Sequence, residues 1–225
     1  MKFKFKIQQY QTDAVECIAR VFDGEPCIDK TLYRRDIGKV NSSMLRLENE
    51  EGYSNHELIE SEGNLLENIR QLQLENDIKK SEKLNKNLGL VNLDIEMETG
   101  TGKTYVYIKS MFELNKRYGW SKFIVVVPSI AIREGVAKSF EMLETHFFEH
   151  YGKKAKWFVY DSSNLQKIDS YSSDAGINVM IINTQAFASS MKEGANNKES
   201  KIIYSERDEF ASRKPIDVLK ANRPI

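Results

Sequence analysis

Long apolar runs are missing from these 225 residues. The longest, Phe123 to Val127, is ended by Pro128, far short of the roughly 20 residues a membrane helix needs. The start, Met1-Lys2-Phe3-Lys4-Phe5-Lys6, alternates charge and aromatic and lacks the apolar centre of a signal peptide. No membrane partner is expected. Cysteine is scarce: Cys17 and Cys27 fit no metal spacing and read as free thiols of a reducing cytoplasm. The three histidines match no ligand motif; His146 and His150 lie four apart on a predicted helix, with no third ligand evident. An excess of either charge is missing too, with 33 Lys and Arg against 33 Asp and Glu. A nucleic-acid partner is therefore neither demanded nor excluded, and any basic face must be local. At 40% hydrophobic and 29% charged, the chain has the composition of a soluble globular protein. Its length suggests one large domain, or one domain with an insertion.

What is present is a glycine-rich run, Met97-Glu98-Thr99-Gly100-Thr101-Gly102-Lys103-Thr104. An alternating apolar stretch (Val91, Leu93, Ile95, Met97) precedes it and predicts a strand over 91–97. A helical pattern follows. Strand, glycine-rich turn and helix form the context in which Gly-Lys-Thr signifies a phosphate-binding loop. Gly100 and Gly102 let the backbone turn so that N–H groups converge on phosphate oxygens, and the helix start adds partial positive charge. Lys103 would place its ammonium on the β- and γ-phosphates, and Thr104 would offer a hydroxyl to Mg²⁺. The bland alternative is a glycine-rich turn without chemistry. The general pattern wants glycine where Met97 stands, and Glu98 has no evident role so close to phosphates.

Around the loop, residues 8–22 predict a short helix with Val15, Ile18, Ala19 and Phe22 on one face. Residues 23–90 are rich in Glu, Asn, Lys and Ser and read as an insertion, with a helix near 56–76 marked by Leu58, Leu65, Ile69 and Leu72. From 91 onward the pattern is α/β. The helix after the loop ends at Lys116-Arg117-Tyr118-Gly119. Phe123 to Val127 reads as a strand buried on both faces. A second helix carries Ile132, Val136, Phe140, Leu143 and Phe147 in one stripe until Gly152. Strands are predicted at 157–160 and 177–182, loop over 188–214, helix over 215–221, and the approach to a further strand at Arg223-Pro224-Ile225. Such alternation implies a mainly parallel sheet.

Thr-Gly-Thr-Gly-Lys-Thr after a non-glycine resembles motif I of superfamily 2 helicases and translocases. Tyr10-Gln11 followed by Ala14-Val15 resembles the glutamine motif, in which the Gln11 amide would match the N6/N7 edge of adenine. The resemblance implies nucleotide contacts from Gln11, Thr99, Gly100, Thr101, Gly102, Lys103 and Thr104. Val127-Pro128-Ser129 sits where motif Ia does. Ser129 is equally well placed as a plain N-cap, but a helix N-terminus also binds phosphate. Arg133 lies in that first turn, where a cation opposes the helix dipole. Asn183-Thr184-Gln185 ends a strand at the place of the next DNA-contacting motif. Ser129, Arg133 and Thr184 are the candidate DNA contacts; each also has an ordinary structural reading.

The resemblance narrows over 90–165. Asn92 through Thr104, Glu113-Leu114, Tyr118-Gly119, Lys122 through Val136, and Val159-Tyr160-Asp161-Ser162 look like the Res subunit of type III restriction–modification enzymes. It is weak across 23–90. The family implies two RecA-like motor domains and a nuclease domain, ATP and Mg²⁺ as cofactors, double-stranded DNA as substrate, and the Mod methyltransferase subunit as partner. The expected layout is a glutamine-motif segment at 1–22, the charged, partly helical insertion at 23–90, and a RecA-like domain over 91–225 that is incomplete at its C-terminus. The family's Asp-Glu-Pro motif is expected just after Ile225, so these residues by themselves are not expected to hydrolyse ATP. Losing the apolar side chains of one central strand forfeits roughly 5–10 kcal/mol of the about 5–15 that a domain has, so marginal stability is expected as well. Two readings stay open beside this one: another superfamily 2 motor, such as a type I restriction subunit or repair helicase, and a non-catalytic nucleotide-binding module using helix 56–76 as its partner surface.

Overall fold

The computed structural model describes residues 5–38, 51–87, 89–185 and 202–225. The chain forms two compact units, Met1–Cys27 with Glu57–Tyr118, and Ile28–His56 with Gly119–Ile225. The stretch read as one insertion therefore contributes to both.

The first unit is helical. α1 (Gln9–Arg20), α2 (Glu62–Glu75) and α3 (Lys103–Tyr118) bury Val15 and Ala19, Leu65 and Leu72, and Val106, Ile108, Phe112 and Leu114 respectively. Polar ties fix the helices. Arg117 makes a two-pronged contact with Glu16 at 3.1 and 2.5 Å. Arg20 grips Glu75 at 2.7 and 2.9 Å, and Tyr118 Oη donates to Ala19 O at 2.9 Å. α2 begins at Glu62 rather than near 56, because the buried Glu25 carboxylate accepts the Ile59 and Glu60 N–H groups at 2.9 Å each and holds them outside the helix. Ser61 then caps it, accepting from Asn64 N at 3.2 Å.

The predicted strand over 91–97 is absent. Those residues lie outside any helix or ladder, and Ile95 is 49% exposed. A strand exists only when its N–H and C=O groups meet a neighbouring chain, and among the described residues no other segment pairs with this one. Alternation supplied the face; the partner was missing.

The second unit is an α/β layer structure. Parallel strands β3 (Lys122–Val127), β4 (Lys156–Val159) and β5 (Asn178–Asn183) are ordered β3-β5-β4. Central β5 is buried from Asn178 at 5% to Ile182 at 1%, with its last residue, Asn183, half-buried. α4 (Ile130–Tyr151) covers one face, with Phe140 stacked 6.1 Å from Trp157. The other face carries Met180 and Ile182, packed with Ile168 and Tyr171 of α5 (Gln166–Ser173), Phe210, and Leu219 of α6 (Pro215–Ala221). Gly152 closes α4 in the left-handed conformation. Ile132 departs from its predicted buried stripe: it is 48% exposed in the first turn beside exposed Ile130, and burial begins a turn later at Val136. Part of the predicted loop 188–214 lies outside the described residues. Ile225 exchanges backbone hydrogen bonds with β3, donating to Lys122 O at 3.0 Å and accepting from Ile124 N at 2.8 Å. The approach to a further strand thus sits on the β3 edge opposite β5.

The sequence reading missed an antiparallel pair, β1 (Thr31–Arg34) with β2 (Glu51–Ser54). It is stitched to the sheet by two buried asparagines. Asn55 accepts from Ser121 N and Lys122 N at 2.7 and 3.0 Å, and donates to Lys122 O and Arg223 O at 2.8 and 2.9 Å. Asn222 donates to Tyr53 O and Tyr33 Oη and accepts from Ser172 Oγ.

Candidate functional site: a phosphate loop

The loop is held by one carbonyl. Glu98 O accepts Thr101 Oγ1 at 2.6 Å, Thr101 N at 3.4 Å and Lys103 Nζ at 2.8 Å. This gives residue 98 the role its side chain did not suggest: its backbone closes the turn while its carboxylate stays exposed. Gly100 and Gly102 have φ of 84° and 85°, a region costly to residues with a Cβ. α3 starts at Lys103, so the free N–H groups of a helix start follow the glycines directly.

Gln11 reaches this loop from α1. Its Nε2 donates to Thr101 O at 2.9 Å, and the residue is only 9% exposed. A Cβ on Gly102 would stand 2.5 Å from that nitrogen. The glycine is therefore required twice, by its φ and by the amide packed against it. The structure brings Gln11 and Thr99–Thr104 together as one constellation.

These residues suit a nucleotide's phosphates. The Lys103 ammonium rests on a neutral carbonyl, which an anion can outcompete, and it is exposed. For a metal ion the supply is thinner. Among the described residues no group of three or more His, Cys, Asp or Glu is placed to hold one. Thr104 could contribute one hydroxyl, and the phosphate oxygens would have to supply further ligands. The His146 and His150 rings lie tilted at 47° with centres 4.4 Å apart, with His150 Nδ1 against His146 O.

Ser129, Arg133 and Thr184 lie in the second unit, beyond the carboxyl ends of β3 and β5, the edge at which open parallel sheets receive ligands. Ser129 Oγ accepts from Ile132 N at 3.3 Å, so it caps α4. Arg133 is paired with Glu134 at 3.0 Å, and Thr184 is exposed. The structure adds Asp161, past the end of β4. The N–H and hydroxyl of Ser163 hold its carboxyl below the usual range, with Lys167 and Arg133 adding to the effect. Its position after a strand end was the available signal. No helix among the described residues is long and apolar enough to cross a membrane.

A glycine-rich loop at a helix start in one unit and a three-stranded parallel sheet in the other define an α/β, P-loop type of protein. The family described as "Type III restriction enzyme, res subunit" matches residues 4–212, and the chain belongs to it. It is 40% identical over 111 residues to the type III restriction-modification enzyme EcoP15I Res subunit of Escherichia coli, covering 48% of this chain and 11% of that protein. It is 43% identical over 72 residues to the EcoPI Res subunit of Escherichia phage P1, covering 31% and 7%. It is 51% identical over 63 residues to the StyLTI Res subunit of Salmonella typhimurium strain LT2, covering 27% and 6%. The matched stretches thus span about a tenth or less of these relatives.

Proposed function

We propose that this chain is the ATP-binding, motif I part of the first RecA-like motor domain in a superfamily 2 type III Res subunit. The whole protein would be an ATP-dependent, DNA-translocating restriction endonuclease in the cytoplasm, acting on double-stranded DNA with a Mod methyltransferase subunit. The observation that carries the reading is the loop: Gly100 and Gly102 with positive φ, α3 starting at Lys103, and Gln11 seated on Thr101.

In this reading the N–H groups around Gly100–Thr104 converge on phosphate oxygens, with Thr99 and Thr101 shaping the turn. Lys103 leaves Glu98 O and neutralises the β- and γ-oxygens. Thr104 would offer its hydroxyl to Mg²⁺, and the Gln11 amide, which braces Thr101, would meet the adenine edge. Bound Mg²⁺ would supply the charge that screens the triphosphate. Ser129, Arg133 and Thr184 contact the DNA backbone from the carboxyl edge of the sheet; Ser129 does so through the helix start it caps.

Titration calorimetry with ADP tests the reading. Binding by the chain, and its loss in Lys103→Ala with an unchanged melt, is the expected result. Equal affinity in both proteins would overturn it.

A further inference from the structure

Tyr107 stands one turn beyond Thr104 on α3, on the same face of that helix. Its side chain is half-buried, but its hydroxyl oxygen is shut off from solvent and completes no hydrogen bond. Buried hydroxyls are nearly always paired, because an unpaired one has lost its water and gained nothing in return. The loop chemistry leaves this group unused.

Two observations bear on what it serves. Burial pushes the Tyr107 phenol above its usual range, and the Thr104 side chain is the hydrogen-bonding group that opposes the rise. The two hydroxyls are therefore neighbours, although the bond between them is not closed. Tyr105, next to Thr104 in sequence, is raised by burial without any contribution from that hydroxyl. A hydroxyl has one proton to donate and two lone pairs to share. Where Thr104 lends a lone pair to a cation, its proton has to point away, toward an acceptor. Tyr107 Oη has lone pairs and no solvent to occupy them. Both backbones are fixed by α3, so side-chain rotation is enough to close the bond.

We infer that Tyr107 is a positioning residue for Thr104. Its hydroxyl oxygen accepts the Thr104 proton and so turns the threonine lone pairs toward the Mg²⁺ that accompanies the nucleotide. The inference rests on the nucleotide-binding reading above and goes beyond it by assigning a residue outside the glycine-rich loop. Tyr107 acts through Thr104 and touches neither nucleotide nor metal.

The test separates metal-dependent from metal-independent binding. ADP binding by the 225-residue chain is measured by titration calorimetry in excess Mg²⁺ and in EDTA, and the ratio of the two affinities is the readout. Tyr107→Phe keeps the ring and its packing; it should lower that ratio about tenfold, as loss of an outer-sphere partner does, and leave the affinity in EDTA within about twofold. Thr104→Ala should lower the ratio at least as far, and adding Tyr107→Phe to it should change nothing more. Tyr105→Phe should keep the parent ratio. If Thr104→Ala collapses the ratio while Tyr107→Phe preserves it, the inference fails and the reading of Thr104 stands. An equal loss in Mg²⁺ and in EDTA makes Tyr107 a packing residue and also overturns the inference, as do additive losses in the double variant. A parent that binds no ADP, or binds it equally with and without Mg²⁺, removes the metal reading of Thr104 and this inference together.

Discussion

Gln11 and Thr101, 90 residues apart in sequence, are joined by a 2.9 Å hydrogen bond from side-chain amide to backbone carbonyl. The amide can lie there because Gly102 has no side chain. The first helix and the phosphate loop are thereby set as one piece.

Gly102→Ala should be damaging for that reason. The new Cβ would force a left-handed backbone costing about 1–2 kcal/mol and would displace the Gln11 amide. ADP affinity should fall at least tenfold, and the melt should drop by several degrees. Gly100→Ala is the control, since nothing lies within 4 Å of its would-be Cβ; it should pay the backbone term alone. Equal losses in both variants would dismiss the steric role of Gln11.

Asn55 satisfies four backbone groups at the start of β3 and at Arg223 while 2% exposed. Asn55→Ala leaves those groups without their partner, at about 1–3 kcal/mol for each one that stays dry. A loss of roughly 2–5 kcal/mol in denaturant unfolding is expected. Asn55→Asp should not rescue it, because a carboxylate cannot donate to Lys122 O and Arg223 O. Unfolding midpoints within experimental error of the parent would show that solvent replaces the asparagine.

Lys122 is fully buried at the foot of β3, and its ammonium donates to Tyr171 O and Asp174 O at 2.5 Å each. Burial pushes it from 10.5 down to about 8, opposed by Asp174 and aided by Lys156. Between those values the unfolded chain keeps a proton that the folded chain has released. The lysine's contribution to stability therefore rises as pH climbs from about 8 to about 10.5. Comparison of pH–stability curves for the parent and Lys122→Met should show that slope in the parent and lose it in the variant. A difference between the two curves that stays constant across the window would contradict the assignment.

Arg133 stands in the first turn of α4, its side chain 24% exposed and paired with Glu134. In the whole protein, Arg133→Ala should weaken DNA binding about equally across sequences. It should also flatten the dependence of log K on log salt by about one phosphate contact. An unchanged slope would leave it as a surface ion pair.

The loop motif, the three helices around it and the three parallel strands were legible in the sequence because each is written in local periodicity or in residues with one special backbone use. Gly100, Gly102 and Lys103 carry their meaning within a few positions. The α4 stripe from Val136 to Phe147 likewise announces burial, whereas the unbroken run Phe123–Val127 predicts a strand buried on both faces and is buried only at Phe123 and Val127, Val126 being 49% exposed. The β1–β2 pair was illegible because its contacts are non-local: Tyr33 and Asn222 meet across 189 positions. The segment 91–97 fails in the opposite way, since its alternation is real but alternation names a face and not a partner.

The sequence by itself determined the family and the place of the glycine-rich loop, because both rest on residue identity over short spans. Only the tertiary structure decided that Gln11 seats on Thr101 and that Glu98 works through its carbonyl. Those outcomes depend on which distant backbones come within hydrogen-bonding distance, and no local pattern encodes that distance.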